Sequence, residues 1–170
     1  MKAIVVYESH WGNTAAIARA IAEGIGPQAQ ALSTAEATTA AVANADLLVA
    51  GAPVLGFRLP DEKALANLGA HPSRAPAPPD LSHPCMRSWL AALPGGHAQQ
   101  APKQAAAFET RIWWSLGGAT GAIERALGAA GYASAAKAHR FIVKGAYGPL
   151  RDGELERARQ WGAELAETMR

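Results

Sequence analysis

The sequence predicts a doubly wound α/β domain, a three-layer sandwich in which a five-stranded parallel sheet is covered by helices on both faces. Three observations carry this expectation. Short apolar runs alternate along the chain with segments of helical period, and such alternation joins parallel strands through right-handed crossovers. The runs are apolar at almost every position, as strands buried on both faces must be. Finally, 170 residues, at roughly 150 per domain, make one such sandwich, spanning 1–170, without a second domain.

Lys2-Ala-Ile-Val-Val-Tyr-Glu8 is the first strand, rich in β-branched residues and closed by the polar turn Ser9 to Asn13. From Thr14 the period becomes helical, with Ile17, Ala20, Ile21 and Gly24 on one face; Asn13 is the expected N-cap, and Gly26-Pro27 the stop. Gln30 to Ser33 lacks β-branched residues and is read as an edge strand. Asp46-Leu-Leu-Val-Ala-Gly51 is a buried strand, Lys103 to Phe108 a weaker, alanine-rich one, and Phe141-Ile-Val143 anchors the last. Helices are expected around Met86, Trp89 and Leu90, from Ala122 to Ala130, and from Leu155 to Met169, the last capped by Asp152 with Glu154 and Glu156 in its positive first turn. Residues 72–84 hold five of the eleven prolines and read as a loop or flap.

Composition narrows the function classes. The chain is 49% hydrophobic and 18% charged, which excludes disorder, but 41 alanines supply much of that apolar share, so the core is expected to be built of small side chains. A net charge of +2, without a run of Lys or Arg, argues against nucleic acid. Cys85 is the lone cysteine, and the apolar run after Met1-Lys2 is too short for a signal core or a membrane span. A soluble cytoplasmic protein with no membrane partner is expected.

In an open parallel sheet, ligands bind beyond the carboxyl ends of the strands, where strand order reverses beside the first strand. The loop there is Ser9, His10, Trp11, Gly12, Asn13 and Thr14: a glycine for tight turning, two flanking hydroxyls, and a helix N-terminus whose N–H groups can meet an anion. It has no lysine, and the triphosphate motif GxxxxGK[ST] is absent, so a phosphate monoester within a tightly held cofactor suits it better than a triphosphate. An acidic pair for a magnesium-dependent receiver is missing, since Glu8-Ser9 and Ala50-Gly51 hold those places. A GxSxG nucleophile elbow is missing too.

On the opening strand with Ser9-His-Trp-Gly-Asn-Thr14, the strand ending Val49-Ala-Gly-Ala-Pro53, and Ala107-Phe-Glu-Thr-Arg111, the chain resembles the flavodoxin-like FMN-binding family in its short single-domain members. The resemblance extends over nearly the whole chain. It implies strand order 2-1-3-4-5, a phosphate on the first loop, and a flavin ring between the second and third loops. The cofactor-binding candidates become the six loop residues above, Pro53, Val54, Leu55, Gly56 and Phe57 from the second loop, and Thr110, Arg111 and Trp113 from the third. Trp113, rather than Trp114, is expected to stack on the ring. The family's phosphate pattern, Ser/Thr-x-Thr-Gly-x-Thr/Ser, is matched at Gly12 and Thr14 but not at Trp11, and Val54 stands where a hydroxyl often follows the proline.

No side chain is assigned a catalytic role, because the cofactor would carry the chemistry. Arg58 and Arg111 would favour an anionic reduced flavin. His71, His83, Cys85 and His97 fit no compact metal motif, and no metal is expected. The leading expectation is an FMN-binding electron carrier served by a separate redox partner protein, a reductase or acceptor. The alternatives are a flavodoxin-fold binding domain with weakened flavin affinity, motivated by Trp11 and Val54, and an NAD(P)H-dependent FMN oxidoreductase.

Overall fold

The computed structural model describes residues 1–70, 75–95 and 103–170. Its sheet contains β1 (Ala3–Tyr7), β2 (Ala29–Ser33), β3 (Leu47–Pro53) and β4 (Gln104–Ile112), while β5 (Ala133–Ser134) and β6 (His139–Val143) share the outer edge of β4. The order is β2-β1-β3-β4-β5, every pairing is parallel, and the edge strand expected at Gln30 to Ser33 is β2. The fifth strand corrects the sequence reading, because it is broken. Between Ala105 and Phe108 β4 advances three residues, while its neighbour advances five, from Ser134 to His139. The surplus residues have no ladder partners opposite them, which interrupts the strand.

Side chains alternate between two apolar layers. Val5, Leu47, Val49 and Phe108 pack under α1 (Asn13–Ile25) and α6 (Glu154–Thr168). Ile4, Val6, Leu48 and Ala50 pack on the opposite face under α2 (Thr39–Ala43), α4 (Met86–Ala91) and α5 (Thr120–Ala129). Between β3 and α4 lies α3 (Glu62–Ala70), which buries Leu65. The small side chains anticipated from composition have a definite use where α1 meets α6. A Cβ on Gly24 would collide with the Arg159 carbonyl, and one on Gly162 with the Ile21 carbonyl, so the two helices touch backbone to backbone.

Helix entries differ from the sequence reading. The cap of α1 is Gly12 at φ 91°, not Asn13, and that of α6 is Gly153 at φ 84°, not Asp152. At both helices the chain enters through a left-handed residue, a conformation that glycine adopts without a Cβ clash. Asp152 instead pairs with Lys144 at 3.0 Å. In the Pro-rich stretch, residues 72–74 lie outside the described residues, and 75–84 form neither helix nor strand. No described helix is long and apolar enough to cross a membrane.

Candidate functional site

A cavity of about 240 Å³ opens at the carboxyl ends of β1, β3, β4 and β6, at the switch point where β2 and β3 leave β1 in opposite directions. Every sequence-predicted site residue except Gly12 and Trp113 lines it. Pro53 ends β3, Thr110 and Arg111 belong to β4, and Val143 comes from β6, so the parallel sheet delivers all these segments to one end. Glu109 to Ile112, expected in a loop, continue β4 as strand because they pair with β6 from Arg140 to Val143.

The loop after β1 forms a polar pole. The first amide to bond within α1 is that of Ala16, to the Gly12 carbonyl at 3.0 Å, and no side chain caps the helix. The N–H groups of Asn13, Thr14 and Ala15 therefore have no acceptor among the described residues and converge at the positive end of the helix. Gly12 shapes this turn and donates to Ser9 Oγ at 3.1 Å. The Thr14 hydroxyl meets that of Thr110 at 2.8 Å, joining the β1 and β4 ends. Asn13 donates from Nδ2 to the Tyr147 carbonyl at 3.1 Å, and the Trp11 ring meets the Tyr147 ring edge-on at 4.8 Å. Trp11, standing where a hydroxyl was expected, sends its indole N–H to the Ala77 carbonyl at 3.1 Å.

The remaining wall is mainly apolar, with Val54, Leu55, Phe57, Ile112, Trp114 and Val143 on it. Leu55 and Arg58 exchange backbone hydrogen bonds of 3.0 and 3.3 Å across Gly56 and Phe57, both left-handed, at φ 57° and 66°. This tight turn requires positive φ at both central residues, and it holds Phe57 53% exposed at the cavity rim. Trp113 is not the cavity tryptophan. β4 ends at Ile112, and a turn closed by Ser115 N–H to the Ile112 carbonyl at 3.0 Å aims Trp114 at the cavity and leaves Trp113 74% exposed. Arg111 lines the cavity, yet its Nη1 donates at 2.9 Å to buried Glu109 and at 2.9 Å to the Gly117 carbonyl. Glu109 in turn accepts from the Ala119 and Thr120 amides at the start of α5, at 2.6 and 2.9 Å. The Arg111 charge is therefore compensated, and Arg58 is engaged with Asp61 at 3.4 Å, which weakens the expectation that both would act on a ring.

Behind the polar pole lies a buried network the sequence reading missed. Glu8, fully buried, faces His10 Nε2 at 3.0 Å and accepts the Met86 amide at 2.7 Å. His10 Nδ1 donates to the Asp80 carbonyl at 2.9 Å, and the Asp80 amide returns a bond to the His10 carbonyl at 2.8 Å. His83 stacks on His10 at 5.4 Å and donates to the Ser9 carbonyl at 2.7 Å. Burial alone would lower the proton affinity of His10, but the Glu8 carboxylate and the Asp80 carbonyl more than offset it and raise its pKa above the ordinary histidine value. Tyr147, Val143 and Ala146 also escaped the sequence reading. The rule that parallel strands end together pointed to the loop after the last strand.

No cluster of three or more metal-ligating side chains occurs among the described residues. His71 and His97 lie outside those residues, His83 is spent on the Ser9 carbonyl, and Cys85 contacts Glu62 and Ser88 at 3.2 Å each. Burial raises the Cys85 thiol pKa, keeping it protonated.

An uncapped helix end on one side and an apolar wall bearing Phe57 and Trp114 on the other fit a phosphate joined to a planar ring. Among solved structures the chain is similar to a flavodoxin from the domain Archaea, with a TM-score of 0.66 and 22% identity over 99% of both chains. It is similar to oxidised flavodoxin 1 from Bacillus cereus, with 0.65 and 17% over 98% of both. It also matches a flavodoxin, WrbA-like protein from Agrobacterium tumefaciens, with 0.57 and 19% over 99% of this chain and 96% of that one. No protein-family profile and no curated protein matches. The fold is flavodoxin-like.

Proposed function

We propose that this flavodoxin-like domain binds FMN at the strand-end cavity and serves as an electron carrier. The observation that carries the reading is that one cavity is lined both by Asn13 and Thr14, at the uncapped start of α1, and by the aromatic side chains Phe57 and Trp114 of the second and third loops. When bound, FMN supplies the redox chemistry through its ring. The amides of Asn13, Thr14 and Ala15 would hold the phosphate, with Thr14 Oγ in support. Val54 and Leu55 would exclude water from one ring face, and Phe57 and Trp114 would flank the ring edges at the cavity mouth. The Arg111–Glu109 pair, with Arg140 also 3.6 Å from the same carboxylate, would hold the Gly117 turn and the start of α5 in place.

Among the described residues the cavity lies at a single switch point of the sheet, which supports a carrier that exchanges electrons with a separate redox partner protein. A second reading has its own support. Trp113 and Trp114 are 74% and 56% exposed, so the third loop does not roof the cavity, and a nicotinamide ring could reach a bound flavin. Rapid anaerobic mixing of FMN-loaded protein with stoichiometric NADPH or NADH separates the two. A visible spectrum unchanged over minutes supports the carrier, and bleaching within seconds replaces it with an oxidoreductase.

The phosphate assignment is tested by Asn13→Asp, which puts a carboxylate beside the anion site. FMN affinity should fall at least about tenfold, the equivalent of about 1.4 kcal/mol, while riboflavin affinity, weak from the start, changes little. Equal affinity of the unaltered protein for FMN and riboflavin in fluorescence titration would remove the phosphate site from the proposal. Absence of visible absorbance after FMN incubation and gel filtration would favour a flavodoxin-fold binding domain.

A further inference from the structure

We propose that Glu8 and His10 form a positioning pair, holding one shared proton, that keeps the Ser9 to Thr14 loop in its ligand-receiving shape and makes phosphate capture there proton-dependent. The inference rests on the reading of that loop as a phosphate site, but the pair itself is read from hydrogen-bond geometry. A carbonyl oxygen only accepts, so His10 Nδ1 must carry hydrogen toward Asp80 O, 2.9 Å away. The other ring nitrogen then faces Glu8 Oε1 at 3.0 Å. Between a carboxylate oxygen and an imidazole nitrogen this contact needs a proton, whichever of the two formally owns it. Glu8 Oε2 already accepts the Met86 amide at 2.7 Å, so the carboxyl cannot turn its proton elsewhere without breaking that bond.

The pair joins two parts of the chain. Glu8 and His10 bracket Ser9 at the start of the loop, and through them the loop is bound to the Asp80 backbone and to the first residue of α4. His83 and the Trp11 indole add bonds of 2.7 and 3.1 Å between the same two segments. The charged and titratable groups around His10 are Glu8 beneath it, His83 stacked on it at 5.4 Å, and the Asp80 carboxylate, which is itself engaged by Ser82 at 2.6 and 2.9 Å. Loss of the shared proton sets a buried carboxylate against an imidazole lone pair with water excluded, an arrangement costly enough to displace one of them. Displacing His10 displaces the loop, since the Asp80 amide bonds to the backbone of His10 itself.

Glu8→Gln separates a proton-dependent role from a merely structural one. The glutamine carbonyl can accept the Met86 amide while its NH₂ donates to a neutral His10, which restores every bond without the shared proton. Three measurements between pH 6 and 10 test the pair: imidazole ¹⁵N shifts assigned with His10→Asn, amide hydrogen exchange of residues 9–14 corrected for intrinsic pH dependence, and Kd for FMN. In the unaltered protein we expect His10 to keep both ring protons above the ordinary histidine range, then to lose one as exchange of the loop rises. Kd should climb about tenfold per pH unit beyond that point. Glu8→Gln should keep the loop protected and Kd level across the range. His10 titrating in the ordinary histidine range, an unaltered protein with flat exchange through that titration, or the same slope in Glu8→Gln would each overturn the proposal. If FMN binds at no pH, the phosphate reading fails, whereas ring shifts and loop exchange still decide whether the pair holds the loop.

Discussion

Phe57 is the described non-glycine residue with positive φ, 66°, and its ring stands 53% exposed at the cavity rim. A left-handed conformation costs an ordinary residue roughly 1–2 kcal/mol, and partial burial of one ring offsets little of that. Asparagine tolerates this region far better. Phe57→Asn should leave thermal stability unchanged or raise it by up to about 1 kcal/mol, roughly 2–4 °C in Tm for a chain this long, while weakening FMN binding measured by fluorescence. A drop in Tm would identify Phe57 as a packing residue; unchanged FMN affinity would remove it from the ring slot. Trp113 and Trp114 make a related point. Neighbours in sequence, they part across a single turn, and only the turn's geometry decides which of them reaches the cavity.

At the scale of elements, the contact between α1 and α6 is the most sensitive to added volume. Gly162 sits against the Ile21 carbonyl, and Gly24 against that of Arg159. Alanine is the better helix former, so propensity alone would favour Gly162→Ala by about 1 kcal/mol. The clash is with backbone, which cannot rotate aside, and overpacking costs about 1–3 kcal/mol. Gly162→Ala should therefore lower stability in urea unfolding. Gly128→Ala in α5, where a new Cβ meets nothing within 4 Å, should raise it by about 0.5–1 kcal/mol. A stabilised Gly162→Ala would mean that α1 and α6 slide apart without loss. The same glycines mark where the smallest residue is required: at this crossing the two helices leave no room for even a methyl group, whereas the layer between them and the sheet holds Ile17, Ile21, Phe108 and Leu165.

For the whole molecule, the two perturbed histidines act with opposite sign, one on each side of the ordinary histidine value. His139 is held below the ordinary histidine range by burial first and then by the Arg157 guanidinium, which donates to its Nε2 at 3.1 Å. Its depressed folded value means that the unfolded chain takes up a proton first, so stability falls as pH drops below about 6.5. His10 has the reverse sign: its contribution is complete below that value and is lost as pH rises through its raised folded value. Chemical denaturation from pH 5 to 9 should give a stability maximum between these limits, and His139→Gln should flatten the acid limb alone. An unchanged acid limb in that variant would assign it to other groups. The sequence by itself determined the sandwich, the strand order through its resemblance, and the loops that bear on the cavity, because apolar period, glycine turns and chain direction are local properties that a parallel sheet converts directly into position. Tertiary structure alone decided that Gly12 caps α1, that Trp114 and not Trp113 reaches the cavity, that Glu109 neutralises Arg111, and that Glu8, His10 and Asp80 meet behind the loop. Those outcomes depend on side-chain direction and on contacts between residues up to 78 positions apart, which no local pattern encodes.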